Sequence, residues 1–143
     1  MMQRLAKRNY DAPFAQIQRT NPPPQDTAYL NAMGNYGKQD WKKAITMFSM
    51  VSDTHRLYKR ALYYTAHSYA GLKEYETAHA IFSNPAFTEG QYVDQADWNR
   101  VLMRMLLKHP ASEIITNLEV IADNPNHFFN DKATLLLEKL KRK

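Results

Sequence analysis

Two nine-residue stretches of this chain match each other thirty-four positions apart: Asp40-Trp41-Lys42-Lys43-Ala44-Ile45-Thr46-Met47-Phe48 and Glu74-Tyr75-Glu76-Thr77-Ala78-His79-Ala80-Ile81-Phe82. Acid, aromatic, Ala and Phe return in register, and a glycine (Gly37, Gly71) stands three residues before each acid. A fixed period of this length is the mark of stacked helical hairpins. Within each copy the aromatic, the Ala and the Phe fall at i, i+3 and i+7, so all three share one stripe of a helix and that stripe must be buried. The small Ala lets a neighbouring helix come close, and the two large side chains fill the space on either side of it. Gly37 and Gly71 are expected to end one helix in a left-handed turn, with Asp40 or Glu74 suited to the positive start of the next.

The same spacing extends the reading along the chain. Residues 1–24 are the least regular part and end in Asn21-Pro22-Pro23-Pro24, which cannot be helical through its length. Asp26 or Thr27 is expected to cap a helix running to Gly37, with its partner from Asp40 to about Ser52. A second pair is expected from Asp53 or Thr54 to Gly71 and on to Phe82, where Asn84-Pro85 stops it. A third pair is placed over Tyr92 to Lys108 and Ala111 to Asp123, broken at His109-Pro110. Here Trp98 takes the early aromatic place, Leu102, Met105 and Leu106 continue the apolar face, Ile114 stands for Ala and Leu118 for Phe, with the spacing from Ala78 stretched to thirty-six. Asn130 to Lys141 repeats Ala133, Leu136, Leu137 and Leu140 on one face and reads as a terminal cap. Seven helices are expected, with an N-terminal extension over 1–24 and one repeat domain over 25–143. The segment 83–90 is a longer connection, in which Phe87 either plugs the gap before the third pair or marks a functional loop.

Composition limits the chemistry. The 143 residues are 44% hydrophobic and 23% charged, ordinary for one globular domain. Only four glycines and no alternating β-branched run argue for an all-α fold. The absence of cysteine removes thiol nucleophiles, thiolate metal sites and disulfides. No apolar run reaches the roughly 18 to 20 residues that cross a bilayer. The net charge of +5 is carried by the two ends, +3 in residues 1–19 and +3 in 138–143, leaving the body at −1. Five histidines show no zinc-hydrolase arrangement; His67 and His79 lie on different helices of one pair with no third ligand, so no metal is expected. His127 reads as a helix-cap residue, and Asp94 and Asp97 as acids at a helix start. No phosphate loop or nucleophile elbow occurs, so neither catalysis nor a cofactor is expected.

The two copies resemble tetratricopeptide repeats, whose thirty-four-residue unit is a helix pair with this small/aromatic code. Ala32 and Ala66 take the small position of each first helix, Tyr69 sits where that family favours an aromatic, and Asn35 does not. The resemblance implies a right-handed α-α superhelix of about three hairpins plus a C-terminal capping helix. It also implies a concave groove lined by the first helix of each pair: Tyr29, Met33 and Tyr36, then Arg60, Tyr63 and His67, then Asn99, Met103 and Leu106. Such a groove is aromatic and methionine-rich and suits an apolar strand or helix of a partner. The positions at which some members clamp a terminal carboxylate carry Tyr29, Met33 and Tyr63, so that mode is not expected. The aromatics have a second role open to them, packing between hairpins or under the N-terminal segment. The layout is further similar to the soluble C-terminal region of bacterial membrane-anchored tetratricopeptide proteins, on Tyr10 to Phe14, on Ala61-Leu62-Tyr63-Tyr64-Thr65-Ala66 and on Lys132 to Leu140. That likeness implies a membrane tether outside this chain, Arg4, Lys7 and Arg8 near lipid, and the periplasmic face of the cell envelope, against a cytoplasmic alternative.

The function expected from the sequence is a non-enzymatic scaffold or adaptor that binds a protein or peptide segment in its groove. The rivals are a nucleic-acid-binding repeat using the basic termini, against which the charge distribution speaks, and a solenoid that self-assembles into homo-oligomers.

Overall fold

The computed structural model describes residues 1–13 and 24–142. Phe14, expected to pack beside the first repeat, the run Asn21-Pro22-Pro23, and the charged Arg19 and Lys143 lie outside the described residues. Among the described residues the chain is all-helical, with eight α-helices and no strand. These are α1 (Met2–Asn9), α2 (Thr27–Gly37), α3 (Trp41–Phe48), α4 (Tyr58–Gly71), α5 (Tyr75–Phe82), α6 (Val93–Leu106), α7 (Ala111–Ala122) and α8 (Asn130–Lys141). The helix beyond the expected seven is α1, in the stretch where no regular pattern is visible. Two others are shorter than expected: α3 stops at Phe48 and α4 begins only at Tyr58, with turns between.

The chain divides into two compact units, residues 11–81 and residues 1–10 with 82–143. In the first, α3 packs against both α2 and α4, and α2 touches α4. Its core is aromatic. Tyr29 meets Phe48 (ring centroids 6.1 Å apart), Phe48 stacks on Tyr64 at 13°, and Tyr36 meets Tyr64 and Trp41 edge-on at 5.0 and 5.2 Å. Such edge-on and offset pairs add to the area they bury. The repeated code falls where the periodicity places it: Ala44, Phe48, Ala78 and Phe82 are buried, and Trp41 and Tyr75 are half-buried at the outer end of each stripe.

The second unit is aliphatic. Ile114, Leu118 and Ile121 form the buried stripe of α7; α6 contributes Val101, Leu102, Met103 and Met105; α8 contributes Ala133, Leu136 and Leu137. Helix α7 packs on α6 and α8, and α1 packs on α6. Phe87 is buried in a 3-10 turn and meets Tyr92 edge-on, so it fills the connection before α6.

The turns that end α2, α4 and α6 are the same turn made three times. Gln39, Lys73 and Lys108 hold φ near +60°, and each donates to the carbonyl three residues back (Tyr36, Ala70, Met105). The residue after each (Asp40, Glu74, His109) donates to the carbonyl five back (Asn35, Tyr69, Arg104). This is the Schellman pattern, and it corrects two expectations. First, the left-handed residue is not Gly37 or Gly71, each the last residue of its helix, but the residue two places on. Gly71 is needed for space instead: a Cβ there would stand 2.4 Å from Cε2 of Trp41, so the ring of α3 lies directly on the backbone of α4. Secondly, the turns lie 34 and then 35 residues apart, so the first helix of the third pair is one residue out of the expected register. Val101, not Leu102, corresponds to Ala66. The thirty-six-residue interval from Ala78 to Ile114 includes one more residue in the turn, where the cap is Pro110 rather than the position directly after the left-handed residue.

Candidate functional site

The groove-side residues read from the sequence are held tightly within their units. Tyr29, Met33, Tyr36, Tyr63 and His67 are all buried, and Arg60 is half-buried. Tyr63 meets His67 edge-on at 4.6 Å and Tyr64 at 5.5 Å. The Tyr36 hydroxyl donates to the Pro13 carbonyl at 2.9 Å, so residues before the first repeat reach this position. Burial lowers the His67 pKa to about 3, and the ring is neutral in the folded protein at any ordinary pH. In the third pair, Asn99 and Met103 are buried and Leu106 is half-buried. Once the register is set by the turns, Trp98, Leu102 and Met105 are the counterparts of Tyr29, Met33 and Tyr36.

Sequence reasoning missed a device that occurs once in each unit. At the start of α4, His55 Nδ1 accepts the backbone N–H of Leu57 (2.9 Å) while Nε2 lies 3.0 Å from Oδ1 of buried Asp26, which also receives Arg56. At the start of α8, His127 Nδ1 accepts the N–H of Phe129 (3.1 Å), and Nε2 faces Asp94 and Asp97 at 3.6 and 3.4 Å. Asp94 also accepts the Phe128 N–H, and Asp97 receives Arg100. Each histidine thus fixes the chain turning into its helix, and ties that turn to the start of the preceding first helix. The signal was present in the sequence: His55 precedes Ala61, and His127 precedes Ala133, by the same six residues.

Asp94, Asp97 and His127 bring three ligand-type atoms within 4.8 Å, the spacing of a metal site. The hydrogen bonding assigns them another role. An Nδ1 that accepts a backbone N–H carries no proton, so in the neutral ring the proton sits on Nε2 and points at the carboxylates. A metal would need that lone pair free and the proton on Nδ1. The same bond pattern at His55, with a single carboxylate and an arginine, marks both as structural clips.

Open concavities of modest size remain. One of about 310 Å³ in the first unit lies between Ile45 and Phe48 of α3, Leu62 and Tyr69 of α4, and Thr77 and Ile81 of α5. Another of about 200 Å³ lies between α6 and α7, beside Arg100, Arg104 and Asn117. No helix of the described residues is long and apolar enough to cross a membrane. Comparison with models of known protein families gives no match. Comparison with curated proteins gives none either.

Proposed function

We propose that the chain is a tetratricopeptide-like, non-enzymatic interaction module in which first helices, α2 and α4 within the first unit, present a docking side to a protein or peptide segment. The observation that carries this reading is the threefold recurrence of one helix-ending turn, at Gln39, Lys73 and Lys108. It gives α2, α4 and α6 one common ending, which supports a repeat of helical hairpins. In such a repeat Tyr29, Met33 and Tyr36 of α2 and Tyr63 and His67 of α4 share one concave side within the first unit, and Trp98, Leu102 and Met105 are their counterparts on α6 in the second. Their burial changes the manner of binding. Most of these side chains serve the core, so a partner meets their edges and the polar rim around Arg60, and competes with the chain's own N-terminal residues.

The test is a nuclear magnetic resonance titration of the labelled chain with a purified natural partner. Shifts confined to Arg60, Tyr63, His67 and the neighbouring residues of α2 are expected, with Arg60→Glu weakening binding at least about tenfold. Shifts centred instead on Lys42, Thr46 and Met47, on the exposed side of α3, would refute the assignment.

A further inference from the structure

One stripe of α4 lies under an open concavity. Tyr58, Leu62, Thr65 and Tyr69 recur at i, i+4, i+7 and i+11, are all half-buried, and floor a groove of about 310 Å³ walled by Ile45 of α3 and Ile81 of α5. At about 100° per residue this stripe is on the opposite face of α4 from Arg60, Tyr63 and His67. The Thr65 hydroxyl donates to the Ala61 carbonyl at 2.7 Å, so the polar atom in the middle of the floor is already satisfied. The second unit has the same groove with different contents. Thirty-five residues on, Leu62, Thr65 and Tyr69 become Asp97, Arg100 and Arg104 of α6, and Asn117 stands for Ile81 thirty-six on. There the side chains answer one another: Arg100 pairs with Asp97, and Arg104 donates to Asn117 at 2.7 Å. The α6 groove is bridged from within, whereas Leu62, Thr65 and Ile81 can form no such pair.

A matching knob stands in the turn before α8. Phe128 is the most exposed large apolar side chain among the described residues, at 74%. Its backbone is fixed all the same. The Phe128 N–H donates to Asp94 at 2.9 Å, His127 before it faces Asp94 and Asp97, and Phe129 after it stacks on Trp98 with centroids 5.3 Å apart. At the other clip the residue after the histidine is Arg56, which turns back on Asp26. Phe128 only meets Phe129 edge-on at 4.9 Å and leaves most of its ring in water. An exposed aromatic on a fixed base anchors an interface at small entropic cost. Local charge agrees. Residues 119–131 hold Glu119, Asp123 and Asp131 and no lysine or arginine. Residues 54–73, which include α4, hold Arg56, Lys59, Arg60 and Lys73 and no acid; Lys59 follows Tyr58 at one end of the stripe, and Lys73 lies beyond Tyr69 at the other. Across the groove, Glu74 and Glu76 at the start of α5 direct an acidic turn towards the α4 side.

We infer that the groove over α4 takes the Phe128 ring of a second copy of this chain, so that copies associate through two unlike surfaces. An apolar cavity of roughly 150 Å³ already holds a benzene ring, so the groove has room for a phenyl group. Burial centred on one aromatic, about 150–250 Å², falls well short of the roughly 1,200 Å² of a stable interface. The association is therefore weak, with a dissociation constant on the order of 0.1 mM. It stands apart from the docking side proposed above, because the two use opposite faces of α4.

The experiment is sedimentation of the full chain from about 10 µM to about 1 mM, a range that brackets this affinity. The weight-average mass of the unaltered chain should rise with concentration. Phe128→Ser removes the knob at an exposed position, and Leu62→Asp with Thr65→Arg closes the groove with the pair that α6 carries. Each is expected to keep the circular dichroism of the helical protein and to associate at least about tenfold more weakly. Ile81→Asn, which copies Asn117, is a second groove variant with the same expected loss. Mixed in equal amounts, the knob and groove variants should form a dimer and nothing larger, because one keeps its groove and the other keeps Phe128. The inference is overturned by an unaltered chain that stays monomeric at every concentration. It is equally overturned if Phe128→Ser, or both groove variants, associate as the unaltered chain does, or if the mixture does not pair.

Discussion

The two units make one backbone pattern from different side chains. Residues 11–81 fill their core with Tyr29, Tyr36, Phe48 and Tyr64 around the glycine and tryptophan of the repeat code. Residues 82–143 fill theirs with Leu102, Ile114, Leu118 and Leu136. Yet both end their leading helix in the same left-handed turn, and both clip the start of a later helix with a histidine, His55 in one and His127 in the other. The difference teaches that in this chain the backbone devices outlast the aromatic code. A turn geometry and a capping imidazole tolerate any core that fills the volume, whereas the Trp41–Gly71 contact tolerates almost no other pair.

The largest contrast between the units should appear on acidification. His67 occupies the place that Leu102 holds in the second unit, 35 residues on. Its imidazole stays neutral in the fold down to about pH 3, whereas in the unfolded chain it takes a proton near pH 6.5. The unfolded state therefore binds the extra proton. The contribution is complete above pH 6.5 and is lost as pH falls from 6.5 towards 3, at roughly 1.4 kcal/mol per pH unit. His67→Leu should flatten that part of the stability profile measured by urea unfolding from about pH 7 to about pH 4. An unchanged slope would show that the ring is reached by water.

The clips come next. Asp26 is buried and serves both His55 and Arg56, so Asp26→Ala leaves two donors without their acceptor and should cost about 2 kcal/mol. Asp94→Ala, with Asp97 still facing His127, should cost about 1 kcal/mol or less. Equal losses in urea titrations would show that Asp97 does not stand in for Asp94 at the second clip. Smaller still are the backbone changes. Glycine in place of Gln39, Lys73 or Lys108 should gain up to about 1 kcal/mol each, because each holds positive φ. Gly34→Ala should gain about as much, since nothing lies within 4 Å of the added methyl.

How much of this was legible in the sequence depends on which residues carried the signal. The stripe Ala44/Phe48 and its echo Ala78/Phe82 were legible because i, i+4 spacing of apolar groups has one helical meaning. The start of α2, the stop of α5 and the start of α7 followed from Thr27, Asn84-Pro85 and His109-Pro110 for similar reasons. Helix α1 was not legible: an eight-residue helix with two buried residues owes its existence to α6, a surface nearly a hundred residues away in sequence. The register of α6 slipped because one interval was applied to both helices of the third pair, although insertions in two connections contribute separately. For the site, the repeat picked out Tyr29, Met33, Tyr36, Tyr63 and His67 as one set. Their burial was one of the two roles left open, and the choice depends on what the rest of the chain lays over them, as Pro13 does over Tyr36. The histidine clips were missed because a single histidine at a helix start is informative only beside its counterpart.

The central claim is that successive hairpins are wedged together through Trp41 against the backbone of α4. A double-mutant cycle tests it most directly, with Gly71→Ala measured by urea unfolding in the native and Trp41→Ala backgrounds. With Trp41 present, the added methyl meets the indole at 2.4 Å and should cost about 2 kcal/mol. With Trp41 removed, the same change should be neutral or stabilising, since alanine is the better helix residue. An equal cost in both backgrounds would mean that the indole does not lie on Gly71, and the hairpins would not be wedged in this way.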